Sequence, residues 1–418
     1  MSRSNANARG VAPLVVVTAI VLLALTMRGP IVAVSAVVDD IRSDLGIGAA
    51  TAGLLTSLPV LCFAVATPMV SWVIARLGLT RSVLASTGVL GLGMVVRSLD
   101  GLATALVGTV LIGIAITLAN VAVPVLIGSE LPDRRDTVLG VYTAALNVGS
   151  MITLSLTVPL ADATSWRWAL AGWVVLVGIA ALVWWRTTRR FAPLPATATA
   201  AAGHHDQTPD VRPWWRRPVA WLLMIGFGGQ AFGYYGVTAW LPLILRDQLG
   251  LSAVAAGPAS SIFQVCAIVG ALGVPLLLRR LASWWVVSAV AGCWAFMPLG
   301  LLLMPALWPV WCGLGGVGQG GGLTVVFALI VRAGRDADDS RRLSAAVQGG
   351  GYLLAATGPA ALGALHELTG SWAVPLVAVL VSLLALAVGG LLAARLAAAP
   401  RAGRAGGAVE VRRERTRR

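Results

Sequence analysis

The stretch LLALTMRGPIVAVSAVV, Leu22 to Val38, is apolar at almost every position, yet Arg28 stands inside it, followed by Gly29 and Pro30. A guanidinium is a planar fork of N–H donors that stays charged at any physiological pH and grips small oxyanions two bonds at a time. Placed inside hydrocarbon it costs roughly 2.5–3.5 kcal/mol on insertion scales, so it must face a cavity or a bundle interior. Two uses remain open for Arg28. It binds a small anion, or it caps carbonyls released by a helix break, because Pro30 cannot donate to the carbonyl of Thr26 and Gly29 loosens the turn. The other residues able to orient a solute are uncharged. Asn120, Asn147, Gln230, Tyr234, Tyr235, Gln264, Gln348 and Tyr352 all lie in apolar stretches. Facing a cavity they would hydrogen-bond a solute; facing a neighbouring helix they would hold the bundle together.

The residues left out of the apolar stretches are as informative. All seventeen acids fall in loops, tails or helix ends, so no carboxylate relay crosses the apolar runs. Glu130, His366 and Glu367 stand near helix ends, where solvated or capping roles are expected. Cys62, Cys266, Cys293 and Cys312 lie in apolar runs without metal-ligand spacing and read as free thiols packing as small hydrophobes. His204 and His205 are neighbours in a polar linker and read as solvated. No nucleophile–base set, carboxylate pair or metal cluster is spaced for catalysis. The chain is expected to be no enzyme and to need no metal or cofactor.

The elements that must position Arg28 follow from composition. Of 418 residues 58% are hydrophobic and 11% charged, with a mean hydropathy of +0.85. Twelve apolar runs are long enough to cross a hydrocarbon layer about 30 Å thick. They cover roughly 12–38, 50–74, 82–98, 103–128, 138–160, 168–185, 219–244, 255–278, 284–304, 308–331, 343–365 and 373–395. They must be helices, because an open backbone finds no partners in lipid. The first run is too long for a signal peptide and lacks a small-residue cleavage site, so it is expected to remain as a span. Asp39 and Asp40 mark its outer end; Arg28 lies eleven residues before Asp39, about 16 Å deep at 1.5 Å per residue, close to the midplane.

A net charge of +14 suggests nucleic acid at first sight, but the charges sort by side of the membrane. Every basic side chain apart from histidine is arginine. With the N-terminus inside, 26 arginines fall on the cytoplasmic side and four on the other: Arg42, Arg97, Arg167 and Arg246. That asymmetry places both termini in the cytoplasm by the positive-inside rule. The expected organisation is a cytoplasmic tail over 1–11, a six-helix bundle over 12–186, a linker over 187–218, a second six-helix bundle over 219–395 and a basic tail over 396–418.

The two bundles repeat each other. IRSDLGIGAATAG (Ile41–Gly53) matches LRDQLGLSAVAAG (Leu245–Gly257), so that Arg42, Leu45, Gly46 and Gly53 pair with Arg246, Leu249, Gly250 and Gly257 at a constant shift of 204. The same shift takes Cys62 to Cys266, Arg76 to Arg280 and Trp168 to Trp372. Such a parallel repeat implies two bundles related by an axis along the membrane normal, with a site at the midplane between them. The glycine-rich VGQGGGLTVV (Val317–Val326) lacks the Lys-Ser/Thr of a phosphate loop and is expected to serve close helix packing.

In the loop after the second run, SWVIARLGLTRS (Ser71–Ser82) resembles the signature of the major facilitator transporters. Arg76, Gly78 and Arg81 fit that gating loop, while Ser71 and Ala75 replace its opening glycine and its aspartate. GFGGQAFGYYGVTAWLPLILRDQLGLSAVAAG in the seventh run is more specific, as are SIFQ in the eighth, SAAVQGGGYLLAATGPAALGALHELTGSW in the eleventh and TAGLLTSLPVLCFAVATP in the second. Together they resemble the cyanate and nitroimidazole transporter branch (CynX/NimT) of that superfamily. The resemblance implies an all-α integral membrane protein with twelve transmembrane helices in two pseudo-symmetric six-helix bundles. It implies a monomer in the inner (plasma) membrane that moves a small polar or anionic, cyanate-like solute by alternating access; the alternative is efflux of nitroimidazole-like or other small drugs. The expected partners are the small-molecule substrate and the lipid bilayer, with no nucleic acid. Arg28 would anchor the substrate, and the amides and tyrosines named above would orient it.

Overall fold

The computed structural model describes residues 13–189, 214–335 and 337–398. The N-terminal tail, the residues beyond 398 and linker residues 190–213, with His204 and His205, lie outside these. The described chain forms twelve helical spans, and the expected runs are all found. In order they are α1 (Pro13–Met27 continued by Gly29–Ala36), α2 (Ala49–Val65 and Thr67–Leu77), α3 (Leu79–Arg97), α4 (Leu102–Glu130), α5 (Arg135–Ala163) and α6 (Trp166–Gly172 and Val174–Thr188). The second half has α7 (Pro218–Leu249), α8 (Ala253–Arg280), α9 (Ser283–Leu303), α10 (Trp308–Ala333), α11 (Ala337–Ala355 and Gly358–Thr369) and α12 (Ala373–Ala398).

Nine spans in the described residues are by themselves long and apolar enough to cross a membrane. Of the other three, α2 is interrupted at Ala66, which leaves a first segment of 17 residues, while α7 and α11 are diluted by glycine, proline and polar residues. They pack on one another where the two bundles meet. A span covered by protein on most sides has less need of apolar surface than one facing lipid, and this explains their composition.

The repeat seen in the sequence is present in the backbone. Gly46 and Gly250 end equivalent helices with φ of +62° and +66°, a left-handed conformation that favours glycine. Gly53 and Gly257 sit at equivalent contacts between the bundles. A Cβ on Gly53 would stand 2.6 Å from the carbonyl oxygen of Pro359 in α11, and one on Gly257 would stand 2.2 Å from that of Leu154 in α5. The bundles therefore meet along two repeat-related seams, α2 on α11 and α8 on α5. The glycines of α10 serve packing within the second bundle: a Cβ on Gly320 would lie 1.9 Å from the carbonyl oxygen of Ala267 in α8.

At the end of the molecule away from residues 189 and 214, these seams are closed. A short amphipathic helix, Val38–Leu45, turns away from α1 there. Its Asp39 bridges to Arg246 of the other bundle at 2.8 Å and to Arg42 of its own at 3.6 Å. The amide of Ala50, in the first turn of α2, donates to Glu367 of α11 at 3.3 Å, and that of Ala360 donates to Ser57 at 3.3 Å. At the other end the seam between α5 and α8 opens into a cavity. Here Arg217, at the start of α7, binds both oxygens of Asp339 in α11 at 2.9 and 2.7 Å.

Two expectations are corrected. Arg97, expected among the arginines of an exposed loop, is buried in the last turn of α3 and donates to the carbonyl of Pro30. The start of α4 comes so close there, with Gly108 against the backbone of Arg97, that the end of α3 lies inside the bundle. Glu130, for which a solvated or a capping role is expected, is 1% exposed at the end of α4, which leaves no solvated role.

Candidate substrate-binding site

The break in α1 places Arg28. Pro30 supplies no N–H and Met27 ends one helical segment, so the chain restarts at Gly29, with the amides of Ile31 and Val32 both donating to the carbonyl of Arg28. The segment after the break, Gly29–Ala36, is buried along its whole length. Gly29 lets α5 approach: a Cβ there would stand 2.6 Å from Thr153 Oγ1. The guanidinium projects between the bundles and not into lipid. Nη1 donates to Asn147 Oδ1 at 3.0 Å, and this is its one hydrogen bond among the described residues. Asn147 is itself held by donation from Nδ2 to the carbonyl of Thr143, at 3.0 Å, which turns its oxygen to Arg28. Arg28 therefore caps none of the carbonyls at the break.

Arg28 lines two cavities. One, of about 70 Å³, is bounded by Phe63, Asn120, Tyr234, Tyr235, Thr238 and Tyr352 together with apolar residues of α1, α4 and α5. The other, of about 290 Å³, lies toward the open end, between α5, α8 and α10, with Thr143, Asn147, Gln319, Thr324 and Phe327 among its walls. The guanidinium is the charged group common to both, a septum between a closed chamber and an open vestibule.

The chain has four tyrosines: Tyr234, Tyr235 and Tyr352 line the chamber with Arg28, and Tyr142 is tied to its wall through Asn120. The Arg28 Cζ is 5.7 Å from the centroid of the Tyr234 ring, within cation–π range. Tyr234 and Tyr235 meet edge to face at 4.8 Å, as do Phe63 and Tyr352 at 5.5 Å. Tyr142 donates to Asn120 Oδ1 at 3.3 Å, which occupies the amide oxygen nearest the chamber. The hydroxyls of Tyr234, Tyr235 and Tyr352 hydrogen-bond to none of the described residues. The chamber thus offers aromatic faces, hydroxyls and guanidinium donors, with no carboxylate. Such walls suit a small, flat solute rich in acceptors.

Of the residues singled out in the sequence, Arg28, Asn120, Asn147, Tyr234, Tyr235 and Tyr352 come together here. Gln230, Gln264 and Gln348 stand outside the walls of both cavities. Gln230 donates to the carbonyl of Gln319 at 3.2 Å, and Gln348 to Ser344 Oγ at 2.8 Å. Gln264 lies 3.5 Å from Thr238 Oγ1 and leaves its own oxygen without a partner. Of the gating-loop residues, Gly78 has a φ of +76° and Arg76 lies over the Trp72 ring at 4.4 Å, while Arg81 is exposed. Phe63, Tyr142 and Thr238 were not foreseen as site residues. For Tyr142 the signal was its rarity, since four tyrosines in so long a chain are few enough to ask where each one goes.

Residues 14–333 match the model of a family described as the Major Facilitator Superfamily. The chain is 32% identical over 387 residues to the 2-nitroimidazole transporter of Escherichia coli (strain K12), covering 91% of this chain and 96% of that one. It is 31% identical over 379 residues to the uncharacterized transporter YycB of Bacillus subtilis (strain 168), covering 90% and 92%. It is 27% identical over 360 residues to the cyanate transport protein CynX of Escherichia coli (strain K12), covering 84% and 90%. Among solved structures, a D-xylose–proton symporter superposes with a TM-score of 0.71 at 14% identity, over 92% of this chain and 97% of that one. A peptide transporter in complex with sulfate superposes with a TM-score of 0.70 at 15% identity, over 93% and 95%. Likeness at that identity speaks to the fold alone.

Proposed function

From the premise that this chain belongs to the major facilitator superfamily, we propose that it carries a small anionic solute across the inner membrane by alternating access, with Arg28 as the anchor. One observation supports this above the others: among the described residues Arg28 meets a single acceptor, Asn147, and it lines a chamber of tyrosine hydroxyls and aromatic faces. The chamber, at about 70 Å³, suits a solute of a few heavy atoms. A cyanate-like anion meets that limit, and a relative is named for cyanate transport.

The arginine asymmetry supports both termini facing the cytoplasm, so the sealed end is the outer face and the vestibule opens inward. In this reading residues 12–186 rock as one body against residues 219–395, and the protein works as a monomer. A second solute class has its own support. The faces of Phe63, Tyr234, Tyr235 and Tyr352 suit a planar heterocycle, and another relative is a 2-nitroimidazole transporter. Efflux of such compounds would use the same chamber with Arg28 on the nitro group.

A thermal-shift panel separates the two. A ligand that binds only the folded state stabilises it by about 2.7 kcal/mol at a hundred times Kd. Cyanate and nitrate are expected to raise the melting temperature of the wild type and to leave Arg28→Ala unmoved. Equal shifts of both proteins by neutral nitroheterocycles, with no response to anions, would replace the anion by the heterocycle and make Arg28 structural.

A further inference from the structure

We propose that this carrier crosses between its two faces only with an anion bound, so that it works as an exchanger and not as a uniporter. The inference rests on the reading of Arg28 as anion anchor. It follows from what surrounds Arg28 when the site is empty. Asn147 Oδ1, a neutral oxygen, is its one hydrogen-bond acceptor among the described residues. The hydroxyls and rings of Tyr234, Tyr235 and Tyr352 stand beside it in the chamber. Among the described residues, neither cavity that Arg28 lines has an Asp or Glu in its walls.

The repeat supplies no counter-charge either. The position equivalent to Arg28 at a shift of 204 is Phe232, in α7. The other arginine buried within a span, Arg97, donates to the carbonyl of Pro30 in its own bundle and lines neither cavity. It keeps its surroundings when the bundles move. Arg28 does not, because it lies on the seam between them.

In the present state the vestibule of about 290 Å³ reaches Arg28, and solvent entering it would lower the cost of the charge. Passing to the other face requires the vestibule to close before the outer seam opens. For that interval an empty site holds an unneutralised guanidinium in a low-dielectric interior, the arrangement that burial penalises most. A bound anion converts the same interval into a hydrogen-bonded ion pair walled by further donors, which is far less costly. The loaded carrier therefore reorients faster than the empty one. Net movement needs an empty return, whereas exchange does not.

The test uses purified protein in proteoliposomes, with potassium and valinomycin present so that charge build-up does not limit net anion movement. Labelled cyanate and labelled nitrate are the two probes. For at least one of them, uptake into vesicles preloaded with the same unlabelled anion is expected to exceed uptake into anion-free vesicles tenfold or more. Equal rates in the two kinds of vesicle would overturn the exchanger and leave the anion anchor standing. Absence of uptake of both probes in both vesicles would overturn the anchor and the exchanger together. Asn147→Asp gives an independent check, because it supplies a resident carboxylate to Arg28. A cysteine placed at Ser57 on the outer seam, in a background lacking the four native cysteines, reports opening to an impermeant maleimide. Without anion, the Asn147→Asp protein is expected to label at least tenfold faster than its parent. Equal labelling of the two would contradict the role of the uncompensated charge.

Discussion

Arg28 and Arg97 lie within the same bundle, one on the seam and one in the interior, and they respond differently to removal of their charge. Arg97 makes one hydrogen bond, to the carbonyl of Pro30, while its Nε and Nη2 are buried without partners. Replacing such a group by an apolar side chain of similar length removes a desolvation penalty and little else. Arg97→Met is expected to leave stability unchanged or raise it by about 1 kcal/mol, read by thermal denaturation, and to keep the response to anions. Loss of more than about 2 kcal/mol would show that the Pro30 contact holds α1 in place. Arg28 was legible in the sequence because a charge in an apolar run must face something other than lipid. The glutamines were harder to place. That Gln230, Gln264 and Gln348 need partners follows from their chemistry, but whether the partner is a solute or a neighbouring helix depends on which face of the helix turns to the seam. In α7 and α8 no periodicity decides it, because the residues around Gln230 and Gln264 show no single apolar face.

The spans themselves were legible from length and hydropathy, while their internal breaks were read less completely. Gly29-Pro30 marks the break in α1, and similar prolines open the second segments of α2, at Pro68, and α11, at Pro359. In α1 the sequence points to a break at Gly29-Pro30, whereas in α2 and α11 a proline inside a long apolar stretch signals a kink or a break without saying which. The seams depend on small residues more than on any polar pair. Gly257 faces the carbonyl oxygen of Leu154 so closely that a Cβ would stand 2.2 Å from it, and this oxygen belongs to backbone that cannot turn aside. Gly257→Leu is expected to prevent the α5–α8 seam from closing at the sealed end. Labelling of the Ser57 cysteine reporter should then rise by an order of magnitude without added solute. Unchanged labelling would mean that the seam closes by another set of contacts.

Across the whole molecule, the arginines of the sealed end explain why that end departs from the charge pattern of the other. Arg42 and Arg246, equivalent in the repeat, share Asp39. Arg167 is paired with Asp44 and Asp100, and Arg97 is buried. The positive charge of this end is neutralised locally, so an orientation with this end outside meets little electrostatic opposition. The twofold architecture was visible in the sequence through the shift of 204. Which end is sealed was not, because hydropathy and the repeat are the same whichever end of the seam closes. Nor does a sequence show that tyrosines from α7 and α11 line one chamber with Arg28.

If these side chains hold an anion, a heavy analogue of a small linear anion will settle among them. Crystals grown or soaked with selenocyanate, with diffraction recorded at the selenium absorption edge, would locate the anion without reference to any functional assay. An anomalous peak is expected in the chamber bounded by Phe63, Tyr234, Tyr235 and Tyr352, with the anion within hydrogen-bond reach of Arg28. An empty chamber, with selenium found only beside exposed arginines at the ends of the spans, would contradict the account.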